Sequence, residues 1–270
     1  MPVLSLDDAG DSRLADYIGI PDPQLARARG LFVAEGRLVV RRLLASRFAT
    51  RSVMVTPAAL DGVARELEGR PCVPVFVVPQ AVMNAVAGFN IHRGCLALGE
   101  RPAPVTWQDV AAPTTARVLL ALEHVGNADN VGATFRAAAA FGAAGVLLDD
   151  GCADPLYRKA IRTSMGAALH VPFACDVPWT DALAGLQREG WAVVGLTPAA
   201  GAEPVREVLA HTRGARVVLI LGHEGDGISA TTAAACTHLG RIPMTAEVDS
   251  LNVAMAAGIA LYEWASEAPR

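Results

Sequence analysis

The chain has 270 residues, 52% of them hydrophobic and only 19% charged, enough for two domains with sizeable cores. No apolar run approaches the roughly 18 residues of a membrane span, and the N-terminus lacks the basic region and apolar stretch of a signal peptide, so a cytoplasmic protein is expected. Five scattered cysteines with no CxxC pair argue against a zinc or disulfide framework, and no metal is expected.

The net charge of −4 is unevenly placed. Residues 1–105 carry 12 basic and 10 acidic side chains, and residues 106–270 carry 11 and 17. A polyanion should therefore favour the N-terminal part and local arginine clusters. In chain order, Arg27 and Arg29 precede Phe32-Val33-Ala34-Glu35-Gly36. Residues 37–44 have apolar side chains at helical spacing and carry Arg41 and Arg42. Ser52–Thr56 reads as a buried strand, 58–68 as a helix and Val73–Val78 as a second strand, a pattern suited to a small α/β domain. The prolines of Arg101-Pro102-Ala103-Pro104-Val105 disfavour helix and mark a linker, with the boundary near 105–115. The expected domains are 1–105 and 106–270.

The second domain alternates regularly. Strands are expected at 117–123, 144–148, 191–196, 216–221 and 238–242. Helices are expected at 130–141, 155–162, 180–188, 228–235 and 251–264. Such alternation, with continuous apolar strands, predicts a parallel sheet covered on both faces.

Three blocks carry polar side chains or glycines where an apolar strand ends, the place where an open α/β sheet builds its ligand site. In Asn130-Val131-Gly132-Ala133-Thr134-Phe135-Arg136, Asn130 is placed to cap a helix, and Arg136 follows nearly two turns on, so that both can address one cleft. In Leu221-Gly222-His223-Glu224-Gly225-Asp226-Gly227-Ile228-Ser229, three glycines in six residues let backbone groups converge on a ligand. In Ile242-Pro243-Met244 and Ser250-Leu251-Asn252-Val253-Ala254, Ser250 is the expected cap of a long apolar helix. No GxGxxG or GxxxxGK[ST] occurs, which disfavours a nucleotide-dependent oxidoreductase.

Taken together and in this order, the three blocks resemble the motifs of the SpoU (TrmH-like) family of RNA ribose 2′-O-methyltransferases within the SPOUT superfamily. The resemblance is strong over 117–265 and weak before it, where Leu31–Gly36 and His92-Arg93-Gly94 are similar to a ribosomal-protein-like RNA-binding extension. It implies a parallel α/β sheet whose C-terminal segment threads a deep trefoil knot, an exception to the rule that chains do not thread loops. It implies a homodimer through the knotted domain and S-adenosylmethionine as cofactor. The cofactor residues carried over are Leu196, Thr197, Leu221, Gly222, His223, Gly225, Gly227, Ile242, Met244, Ser250 and Leu251. The catalytic residues carried over are Asn130, Arg136, Glu224, Ser250 and Asn252. Position 223 varies in the family and is often Asn.

Two basic clusters are candidate RNA contacts: Arg158, Lys159 and Arg162 beside Tyr157, and Arg27, Arg29, Arg41 and Arg42. The leading expectation is methyl transfer to a ribose 2′-hydroxyl, in ribosomal RNA first and transfer RNA second. The alternative is an RNA-binding or ribosome-assembly protein of the same fold without turnover.

Overall fold

The computed structural model describes residues 2–19, 27–91, 94–245, 247 and 249–267, so His92 and Arg93 lie outside the described residues. The chain forms two compact units: Met1–Ala103 with Leu156–His170, and Pro104–Pro155 with Val171–Arg270. The segment 156–170, read from the sequence as part of the C-terminal domain, therefore belongs to the first unit.

In chain order the first unit carries β1 (Val3–Ser5), β2 (Leu31–Glu35), α1 (Arg37–Ala45), β3 (Thr50–Val55), α2 (Pro57–Leu60), α3 (Ala64–Glu68), β4 (Val75–Val77), α4 (Gln80–Ala87) and β5 (Cys95–Glu100). The second follows with α5 (Trp107–Ala111), β6 (Val118–Leu122), α6 (Ala128–Phe141) and β7 (Gly145–Leu148). After α7 (Arg158–Thr163), which belongs to the first unit, come β8 (Phe173–Ala174), α8 (Trp179–Arg188), β9 (Trp191–Leu196), β10 (Glu203–Pro204), α9 (Val205–His211), β11 (Arg216–Leu221), α10 (Ala230–Ala235), β12 (His238–Arg241) and α11 (Val253–Glu267).

The first unit is built on a five-stranded mixed sheet of order β1-β4-β3-β5-β2. Its β3 and β4 run parallel, whereas β5 is antiparallel to both β3 and β2. Gly36, at φ 89°, turns the chain from β2 into α1, which buries Val39, Val40, Leu43 and Leu44. The single helix expected over 58–68 is broken into α2 and α3. Gly62 sits at the break, under the flat side chain of Arg37, and a Cβ there would lie 2.4 Å from Arg37 Nε. Strand β5 escaped the sequence reading because its apolar run, Cys95–Leu98, is short and ends at Gly99. That glycine makes room for the Phe32 ring, which a Cβ would meet at 2.1 Å.

Helix α7 docks on this unit through Arg158. Its Nη1 lies 2.7 Å from Glu35 Oε2, and its guanidinium stacks 4.2 Å from the Phe89 ring centroid.

The second unit holds a seven-stranded sheet, parallel throughout, of order β10-β12-β9-β11-β6-β7-β8. Every residue of β6 and β7 is buried, as expected of strands covered on both faces. Trp107, Leu183, Leu186 and Trp191 pack with Leu119, Val193, Val218 and Ile220 in one core. Helices α6 and α11 pack together, with Phe141 and Tyr262 edge to face at 6.3 Å. Helix α5 falls within the expected domain boundary at 105–115, between two proline-containing segments, where Thr106 and Asp109 form a complete capping box. Registers Leu221↔Leu122, Ile220↔Gly195 and Leu239↔Gly195 bring the C-terminal ends of β6, β11, β9 and β12 to one edge. No helix among the described residues is long and apolar enough to cross a membrane.

Arg158→Ala should leave the half-buried Glu35 carboxylate without its guanidinium and cost about 2 kcal/mol of stability. Exposed Arg162→Ala should stay within about 0.5 kcal/mol. Urea denaturation of the two variants checks this.

Candidate active site

Strand β6 is followed directly by Glu123, a carboxylate only 4% exposed. It accepts hydrogen bonds from Ser229 N (2.9 Å), Ser229 Oγ (2.7 Å) and Thr232 Oγ1 (2.7 Å). Thr232 Oγ1 in turn accepts from Trp179 Nε1 at 2.8 Å. A buried charge is tolerable only when it is bonded in this way. The result ties the exit of the 222–229 loop and the start of α10 to the end of β6. The Glu123 charge also acts on its surroundings: burial first, then this carboxylate, pushes the Cys236 thiol up to about 11.

The loop itself is folded tightly. A Cβ on Gly222 would lie 2.1 Å from the Gly227 backbone, so only glycine fits. Gly227 has φ 70° and donates its N–H to His223 O at 2.9 Å. The His223 side chain acts inside the loop, its Nδ1 accepting from Gly225 N at 3.0 Å and Asp226 N at 3.4 Å. Backbone amides only donate, so Nδ1 carries a lone pair and the ring proton sits on Nε2.

The first and third blocks meet this loop through a chain of amides. Asn252 Nδ2 donates to Asn130 Oδ1 at 2.9 Å, and Asn130 Nδ2 donates to Glu224 Oε1. Two expectations are corrected here. Asn130 does not cap α6; Asn127 does, accepting from Asp129 N at 2.9 Å. Ser250 does not cap α11; Asn252 Oδ1 accepts from Ala254 N (3.0 Å) and Met255 N (3.3 Å). The physical reason is the same in both cases. A helix begins where a side-chain acceptor reaches the free amides, and a nearby asparagine is better placed.

A cavity of about 320 Å³ lies between these segments. Leu196 and Thr197 line it from the end of β9, and Leu221, Gly222, His223, Gly225 and Gly227 from the loop after β11. Ile242, Met244, Ser250 and Leu251 line it from the chain after β12. Glu224 is also in the wall. The sequence reading missed Pro198, Ala199, Asp226, Ile228, Gly240, Val253 and Ala256, which border the same cavity. Most adjoin predicted residues in the chain, a signal that continuity alone could have supplied. Asn130 and Asn252 stand behind Glu224 rather than in the wall.

Arg136 is not brought to the cavity. It is exposed, and among the described residues it makes no hydrogen bond or ion pair. Six residues along an α-helix are about 600° of rotation, which leaves Arg136 roughly 120° around α6 from Asn130.

The comparisons with known proteins bear on this arrangement. Residues 117–262 match the SpoU rRNA methylase family. An uncharacterized tRNA/rRNA methyltransferase of Mycobacterium bovis is 38% identical over 268 residues, covering 97% of this chain and 92% of the relative. The chain belongs to the SpoU rRNA methylase family. Two solved structures share its fold. The AdoMet-bound rRNA methyltransferase from Sinorhizobium meliloti is 24% identical with a TM-score of 0.83, covering 99% of both chains. An RNA 2′-O ribose methyltransferase is 22% identical with a TM-score of 0.79, covering 98% of this chain and 99% of that one.

In this SpoU member the basic side chains picked out from sequence have unequal freedom. Arg158 is committed to Glu35 and Phe89. Arg42 Nη1 donates to Met165 O at 2.6 Å, and Arg29 Nη1 to Ile18 O at 2.7 Å. Arg41 pairs with Glu66 at 2.6 Å. Arg27, Lys159 and Arg162 are exposed.

One further cluster adjoins the site. His124, Asp149 and Asp150 place possible ligand atoms within 4.8 Å of one another. The Asp149 carboxylate, however, already accepts from His124 N and Gly151 N, and its Oδ2 lies 2.6 Å from His124 Nδ1. Its oxygens are used to fold the 149–153 loop, which gives this donor set a structural role. His124 takes φ 56° to make that contact. No thiolate nucleophile stands ready nearby, since burial raises the Cys152 thiol well above its ordinary value.

Glu123→Ala should remove the anchor of the 222–229 loop and cost about 3 kcal/mol. A matching fall in thermal midpoint, with faster amide exchange in 222–232, is the expected readout.

Proposed function

We propose that this chain transfers a methyl group from S-adenosylmethionine to a ribose 2′-hydroxyl of RNA, with ribosomal RNA the first candidate substrate and transfer RNA the second. The observation that carries the proposal is the Asn252–Asn130–Glu224 chain, which joins all three sequence blocks at the wall of one cavity. Family membership and the likeness to the two methyltransferase structures support it.

The cavity residues fit the cofactor. Its volume is within the range of small-molecule sites. Leu196, Leu221, Ile242, Met244 and Leu251 offer apolar surface to a purine ring, and the close-folded glycines expose backbone groups for its polar edge. Glu224 supplies a negative charge in the wall for a cationic ligand. When bound, the cofactor supplies an activated methyl group on a sulfonium. The protein then has to place the hydroxyl in line and give its proton somewhere to go, so positioning supplies much of the rate.

Asn130 and Asn252 hold Glu224 in one orientation. Arg136, exposed and fixed in charge, is suited to grip the phosphate beside the reacting ribose and orient the 2′-hydroxyl, with that phosphate helping to take the proton. The proposal includes the family's knotted path. Strand β12 is inserted between β9 and β10, and the segments leaving β11 and β12 line one cavity. It also includes a homodimer through α11, whose Met255 and Tyr262 are 56% and 58% exposed and two turns apart on one face. Tyr262→Glu should shift the chain toward monomer in light scattering.

The position of Arg136 outside the cavity favours a second reading, an RNA-binding or assembly protein without turnover. Methyl transfer from labelled S-adenosylmethionine to unmodified RNA, followed by digestion to nucleosides, separates the two. Label in one 2′-O-methylnucleoside, lost about 100-fold in Arg136→Ala, is the expected result. Arg136→Lys should fail similarly because the bidentate fork is gone. Cofactor binding without any label would favour the second reading.

Asn252→Asp makes a finer test. It keeps a cap acceptor for α11, so stability should change by less than about 1 kcal/mol. It also turns a carboxylate toward Asn130 Oδ1, and turnover should fall about tenfold.

A further inference from the structure

The first unit contains a groove of its own, with a volume of about 580 Å³. Arg37, Leu38 and Arg41 line it from the outward face of α1, and Thr56, Gln80 and Gly94 line it from the other side. Two glycines keep it open. Gly62 lets the Arg37 side chain lie flat, and a Cβ on Gly94 would strike Thr56 Oγ1 at 2.4 Å.

The groups in this groove are arranged for a ligand. Arg37 makes no hydrogen bond or ion pair among the described residues, and Arg41 is held only by its ion pair to Glu66. Four residues apart on one helix, the two guanidiniums lie about 6 Å apart at their roots and can converge on one phosphate. Gln80 is fixed by two bonds from its Nε2, to Asn84 Oδ1 and Ile91 O, both 2.9 Å. Both amide hydrogens are thereby used, and Oε1 is left as an acceptor. Among the described residues Thr56 Oγ1 has only a long 3.5 Å bond to Gly94 O. Leu38, 37% exposed, offers an apolar surface between the charged and polar ends.

The charge of the unit points the same way. Residues 1–103 with 156–170 hold 15 basic and 10 acidic side chains, whereas the rest of the chain holds 8 and 17. A polyanion is drawn to the first unit, and a pocket this size admits a single base, not a duplex.

We propose that the Arg37–Gln80 groove holds one unpaired nucleotide of the substrate RNA, its phosphate on Arg37 and Arg41 and its base across Leu38 toward Gln80 and Thr56. This rests on the RNA methyltransferase reading above and adds where, outside the methyl-transfer site, the RNA is read.

The test is fluorescence anisotropy of the full chain with labelled single-stranded fragments of unmodified ribosomal RNA. S-adenosylmethionine affinity is measured in parallel. Arg37→Ala should weaken RNA binding about tenfold and lower the salt slope by about one. Gly62→Ala, which displaces the Arg37 guanidinium without changing charge, should weaken it at least about threefold. Arg65→Ala, an exposed cation away from the groove, should change it less than about twofold. Cofactor affinity should be unchanged in all three, which reports that the second unit is intact. Wild-type affinity in Arg37→Ala and Gly62→Ala, or an equal loss in Arg65→Ala, would overturn the groove while leaving the methyltransferase reading in place. A wild-type chain that binds neither RNA nor cofactor would overturn both.

Discussion

The candidate site depends on one buried charge. Glu123 directly follows a central strand, out of water, and its two oxygens accept from a backbone amide and two hydroxyls. Desolvating a carboxylate is costly, and only donors held in place repay it. Those donors come from Ser229 and Thr232, more than a hundred residues further along the chain. Satisfying the charge therefore also fixes where the glycine-rich loop ends and where α10 begins. The parallel register Leu221↔Leu122 makes this possible, because it brings the end of β11 beside the end of β6.

From that anchor the site is assembled with few parts, several of them used twice. Asn252 caps α11 with its oxygen and holds Asn130 with its nitrogen. The His223 ring closes its own loop with one nitrogen and leaves the other as a donor. Gly195 in β9 has no Cβ because Cys236 Sγ and Ile228 Cδ1 already fill that space, at 2.7 and 2.8 Å. Helix stability and site geometry are thus the same hydrogen bonds, and a substitution that loosens one loosens the other.

The two units divide the electrostatic labour. The unit that bears the candidate methyl-transfer cavity is acidic, and the other is basic. The short segment 156–170 contributes three cations and no acid to the basic unit although it lies between two stretches of the acidic one. Phosphate contacts position an RNA without specifying it, and specificity requires a pocket that reads a base. The groove on α1 has the acceptors, the apolar surface and the cations for that task.

The alternation of apolar runs determined the second unit's parallel sheet, because a strand covered on both faces must be apolar and four of its strands, β6, β7, β9 and β11, are long enough to show it. The polar residues and glycines at strand ends were legible in the same pattern, whereas the assignment of named residues to one cofactor cavity came from the resemblance to the SpoU family. What local pattern could not carry was decided by tertiary contact. Strands of two or three residues, such as β1, β8 and β10, have no period to detect. Strand β5 hides behind a glycine that only the Phe32 ring explains. Which asparagine caps and which bridges depends on a partner far away in sequence, as does whether an arginine is unpaired among the described residues, like Arg37, or committed, like Arg158. Charge and periodicity are properties of neighbours along the chain, but the pairing of a charge is a property of neighbours in space.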